Sequence, residues 1–161
     1  MDVIIVYVAI AVVLFVAAFM ARRRFGLIGL ALAAGFLLSD IWGYNIGILV
    51  DALGVPSGPL TSAATLSTLV LLPAGVLMFH GYTYKGLISR VAGAALFTIL
   101  ALAFLVEPIG HVLTPQGIGA EVYTWLANNN SSIIAIGLSV AVLDLFFTKP
   151  VDLSGKRRRK H

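Results

Sequence analysis

The chain has 161 residues, 60% of them hydrophobic and 11% charged, with a formal net charge of +4 and a mean hydropathy of +1.01. Water-soluble domains are about half apolar and about a quarter charged, so this composition excludes an ordinary soluble enzyme and describes a membrane protein. Zero cysteines exclude disulfides, thiolate metal sites and cysteine nucleophiles.

The first predicted element is a helix over residues 3–21, which carries no charge and is long enough to cross about 30 Å of hydrocarbon at about 1.5 Å per residue. A secretory signal would place basic residues before a shorter apolar run. Here Arg22, Arg23 and Arg24 follow the run and only Asp2 precedes it, so cleavage is not expected. The second crossing is expected at 25–42, with Asp40 near its far end and a break at Gly43, Tyr44 and Asn45 leading to the turn "VPSGP". The third spans 61–79 with Pro73 as a tolerated kink. The fourth, 90–106, is barely long enough, so either Arg90 snorkels toward the surface or the helix starts nearer Leu87. Next, "IGAEVYTWLANNN" repeats apolar and aromatic residues at helical spacing (Ile118, Val122, Trp125, Leu126) and is expected to lie flat in the interface. The fifth crossing is 133–148.

The expected fold is therefore all-α: a polytopic integral membrane protein with a bundle of five transmembrane helices plus a short interfacial helix. Residues 1–148 form the transmembrane domain and 149–161 a basic cytoplasmic tail. All eleven Lys and Arg fall after segments one, three and five, and the positive-inside rule makes that face cytoplasmic, with the N-terminus outside. Arg22, Arg23, Arg24, Lys85, Arg90, Lys156, Arg157, Arg158 and Arg159 act as topology anchors. Beside a membrane helix, "KRRRK" favours anionic lipid at the cytoplasmic face over nucleic acid. Trp42, Tyr44, Tyr123 and Trp125 suit the outer interface, and Tyr82 and Tyr84 the inner one.

Chemistry is sparse. Gly26, Gly29, Gly35, Gly93 and Gly137 lie in small-residue faces that let helices approach closely, with pairs such as Ala31 and Gly35, Ala135 and Ser139, or Gly137 and Ala141. Thr61, Thr65 and Thr68 share one face of segment three, either as a polar path with Asp40 and Glu107 at its mouth or, the favoured alternative, as hydroxyls bonded to helix carbonyls. Asp144, close to a helix C-terminus where the dipole disfavours it, is expected to have a cationic partner in Lys149 or one of Arg22 to Arg24. His80, His111 and His161 fall in separate places, so no metal site is expected. No phosphate loop, nucleophile elbow or cofactor motif occurs, and "NNNSS" holds overlapping sequons at Asn129 and Asn130.

Three stretches, "MDVIIVYVAIAVVLF", "ARRRFGLIGLALAAGFLL" and "YKGLISRVAGAALFTILALAFL", together resemble the colicin V production protein family of small bacterial membrane proteins over residues 1 to about 107. That resemblance implies an inner-membrane protein linked to toxin export or envelope maintenance, without a catalytic residue, and highlights Arg22, Arg24, Gly26 and Gly29. Two functions are expected from the whole: a non-enzymatic scaffold or accessory subunit, as a homo-oligomer or in a larger membrane complex, or alternatively a small oligomeric channel or transporter.

Overall fold

The computed structural model describes residues 3–56, 58–79, 86–110, 112 and 118–147. It is all-helical, with α1 Val3–Ala21, α2 Phe25–Ala52, α3 Pro59–Phe79, α4 Leu87–Gly110 and α5 Ile118–Phe146. Four of them, α2 to α5, are long and apolar enough to cross a membrane, and α1 is a shorter apolar helix. Such a set of helices is that of a membrane protein.

Helix α4 is the centre of the bundle and packs against each of the other four. Its buried residues run around most of its circumference, among them Ala94, Phe97, Leu100, Ala101, Phe104 and Leu105, as a helix enclosed by others requires. Helix α1 lays a stripe of Leu14 and Ala18 against this core and turns Val8, Val12, Val13 and Val16 outward. Helices α2 and α3 form the most extensive pairing.

Several seams are made by glycine. A Cβ at Gly35 would run into the backbone carbonyl of Val70, so α2 and α3 cross almost in backbone contact there. A Cβ at Gly26 would stand 2.5 Å from the Ala141 carbonyl oxygen and one at Gly29 3.2 Å from the Ala141 side chain, which fits α2 to α5. Gly137 seats Leu100 of α4, and Gly110 makes room for the Tyr123 hydroxyl of α5. Of the small pairs, Ala31 and Gly35 are both buried, whereas Ser89, Ala135 and Ser139 face outward.

Three boundaries differ from the sequence expectation. Helix α2 does not break at Gly43 but continues to Ala52, 28 residues or about 42 Å. A glycine inside a helix costs only about 1 kcal/mol, and contact with α3, where Gly43 meets Leu66, offsets it. The chain turns instead at Gly54, whose φ of +79° suits the left-handed residue that closes a helix. Helix α4 covers 24 residues rather than 17, starting at Leu87 as the second alternative had it and carrying Pro108 into its last turn. The segment expected to lie flat in the interface is not a separate element: Ile118–Phe146 is one helix of 29 residues, about 44 Å. Of its periodic residues Val122 and Trp125 are exposed, and it is Tyr123 that meets the bundle, packing on Tyr7 at 6.4 Å between ring centroids.

Two glycines of α2 give opposite expectations. Gly35→Ala is expected to push α3 away and lower stability by about 1–3 kcal/mol. At Gly47, where a Cβ would meet nothing within 4 Å, alanine is expected to be neutral or to stabilise by up to about 1 kcal/mol. Thermal unfolding of the two variants in detergent measures both.

Candidate functional site

The polar groups of the bundle gather at its two ends, and the arginine end holds the helices together. Helix termini leave orphan donors and acceptors. Arg23 reaches from the loop after α1 to the end of α3, its Nε donating to the Met78 carbonyl at 2.9 Å and its Nη2 to the Phe79 carbonyl at 2.8 Å. Arg90, in the first turn of α4, donates through Nη2 to the Phe19 carbonyl in the last turn of α1 at 2.9 Å. Its guanidinium also stands 4.3 Å from the centroid of the Phe19 ring, a cation–π geometry. Arg90 therefore folds back onto α1. This leaves its Nε buried without a hydrogen-bond partner.

Asp144 completes the arrangement. Its Oδ2 accepts the Gly26 N–H at 2.9 Å, the second residue of α2, which is the donor an N-cap side chain normally satisfies. The local N-cap, Arg24, has extended backbone and no side-chain cap bond. Asp144 thus suffers the dipole at the end of its own helix but gains that of α2. The expected cationic partner Lys149 lies outside the described residues, as do Lys85, Lys156, Arg157, Arg158, Arg159, Tyr82, Tyr84 and the three histidines. Arg22 closes α1 with a φ of 56° and an N–H donated to the Ala18 carbonyl at 3.2 Å, a left-handed position where a side chain costs about 1–2 kcal/mol.

At the other end a cavity of about 500 Å³ opens between α2, α3 and α4. It brings together four of the six residues expected for a polar path: Asp40 from α2, Thr61 and Thr65 from α3, and Glu107 from α4. Thr68 and Asp144 are elsewhere. Thr68 donates to the Ala64 carbonyl at 2.7 Å, the back-bonded geometry of a membrane hydroxyl, and Thr61 donates to the Pro56 carbonyl at 2.9 Å across the α2–α3 turn. Asp51, Ser39, Ser62, Tyr44, Gly43 and Gly47 also line the cavity.

The cavity ends on apolar packing. Phe36, in its wall, lies 5.0 Å from Phe104 between ring centroids, and Leu32, Val70, Leu100 and Leu105 are buried in the core. Thr98, the buried hydroxyl on α4, is bonded to the Ala94 carbonyl at 2.8 Å. Among the described residues, no three His, Asp or Glu side chains converge as metal ligands.

The missed cavity residues at positions 36, 43, 47 and 51 share one face of α2 with Asp40, repeating at helical spacing. Dividing α2 at Gly43 hid that register.

Removing the trans-helix cap in Asp144→Ala is expected to cost about 1–2 kcal/mol of stability, with Asp144→Asn losing less because its amide oxygen still accepts. Arg22→Gly is expected to stabilise by up to about 1 kcal/mol through relief of the left-handed backbone. Chemical unfolding in detergent, with Arg23→Ala as a third destabilised variant, checks the order. Comparison of the chain with protein-family models, curated proteins and solved structures found no match.

Proposed function

We propose that the chain is a non-enzymatic integral membrane scaffold or accessory subunit that packs beside a larger membrane partner through the outer face of α5. The carrying observation is that face. Only 6% of the most apolar stretch of α5 is buried, against 67% for α4. Along it, Thr124, Asn128, Ser131, Ser132, Ala135 and Ser139 are exposed and form a lengthwise stripe of small and polar residues. Ser131 and Ser139 bond within the helix, to Asn130 Oδ1 at 3.1 Å and to the Ala135 carbonyl at 2.8 Å, so the stripe offers a small surface for close backbone approach, and because helices in bilayers associate through such stripes a transmembrane helix of a partner chain is the fitting occupant.

In this reading α1 is a fifth crossing, its 19 residues spanning about 28 Å. Arg22, Arg23, Arg24 and Arg90 mark the cytoplasmic face, the N-terminus is outside, and the tail meets anionic lipid. The resemblance to colicin V production proteins makes the setting a bacterial inner membrane and the task toxin export or envelope maintenance.

A tagged full-length chain solubilised from native membranes in mild detergent is expected to carry a stoichiometric partner. Ser132→Leu with Ser139→Leu is expected to reduce its recovery at least about tenfold, the equivalent of roughly 1.4 kcal/mol, while leaving the chain folded because both positions face outward. Recovery of the bare chain alone, or of a homo-oligomer indifferent to the two leucines, would count against the proposal.

The outer cavity favours a second reading, a small oligomeric channel or transporter. Proteoliposome flux that persists in Thr65→Leu with Asp40→Asn would remove it.

A further inference from the structure

We propose that the cavity between α2, α3 and α4 is a binding site for an organic polycation, a linear molecule carrying two or more ammonium groups. This is independent of the docking of α5.

The first ground is shape. A volume of about 500 Å³ lies in the range of small-molecule sites, and α2 lines it with glycine at positions 43 and 47, of which Gly43 meets Leu66 of α3 and Gly47 faces open space. At Gly47 a Cβ would meet nothing within 4 Å, so the open wall is not closed by a neighbouring helix.

The second ground is charge and its spacing. Asp40, Asp51 and Glu107 line the cavity, and among the described residues no Lys or Arg does. Asp40 and Asp51 are three turns apart on one face of α2, about 16 Å along the axis, so no single point charge can meet both. Because the carboxylates do not converge on a metal position, the complementary ligand is an extended cation. Its methylene chain would lie along Gly43 and Gly47, with ammonium groups near Asp40, Asp51 and Glu107.

The third ground is the remaining lining. Phe36 and Tyr44 add aromatic side chains, to which cations are attracted, and Ser39, Ser62 and Thr65 add hydroxyls that can accept from N–H donors. The depth is also suitable. Asp40 lies 15 residues from Phe25, about 22 Å, and Asp51 about 39 Å, so for a hydrocarbon layer about 30 Å thick that starts at Phe25 the cavity runs from the outer third of the layer into the headgroup zone, where a water-borne cation can enter.

The test is calorimetric titration of the detergent-purified full chain with spermine, n-butylamine, magnesium and a neutral polyol. Saturable spermine binding is expected, with n-butylamine and magnesium weaker by at least about tenfold and the polyol silent. Asp40→Asn and Glu107→Gln are each expected to weaken spermine about tenfold. Gly47→Leu, which fills the cavity and leaves every charge in place, is expected to abolish binding. Thermal unfolding of each variant confirms that it is folded. The proposal is overturned if spermine does not bind the folded wild-type chain, if Gly47→Leu binds it unchanged, if magnesium displaces it at equal concentration, or if the monoamine binds as tightly. In the last case the ligand would be a single ammonium, such as that of a lipid headgroup.

Discussion

In hydrocarbon there is no water to satisfy the ends of a helix, and at the arginine end of this bundle the ends are satisfied by side chains from other elements. Arg23 closes α3, Arg90 closes α1 and Asp144 opens α2. Each charge meets the terminus whose dipole favours it, cations at C-termini and a carboxylate at an N-terminus. These bonds have a structural effect beyond their individual strengths. They tie α1 to α4, α2 to α5 and the α1–α2 loop to α3, so a residue of one helix cannot move without exposing the backbone of another.

The rest of the arrangement follows from that closed end. Near it, Gly26, Gly29 and Gly35 bring α2 into backbone-level contact with α5 and α3, a fit in which dispersion contacts replace the hydrophobic drive that lipid cannot supply. At the other end α2, α3 and α4 stand apart around a cavity. Gly47, which is chemically the same residue as Gly35, has lateral room there and borders a cavity in place of a seam, whereas Gly43 still meets Leu66. The function of a glycine in this protein thus depends on what stands opposite it.

The two surfaces available for recognition differ for the same reason. The face of α5 is continuous, small and weakly polar, suited to another helix in lipid. The cavity is acidic, hydroxyl-rich and wet at its mouth, suited to a solute. Phe36, tilted against Phe104, separates that mouth from the buried core.

Much of this was legible in the residues themselves. Apolar runs bounded by charge identified every helix, since a long uncharged segment has few alternatives to spanning a bilayer, and the co-location of Asp40, Thr61, Thr65 and Glu107 was partly anticipated by helical register. The limits of α2, α4 and α5 were not, because Gly43 and the polar run Asn128 to Ser132 are weak local breakers whose cost is outweighed by neighbours absent from a linear reading. Asp144 shows the distinction most clearly. Its sequence position predicted only that a carboxylate near a helix C-terminus needs a positive partner, and that requirement is general electrostatics. Which partner it takes depended on α2 beginning beside the end of α5, a proximity across 118 positions of chain that only packing of the helices could create.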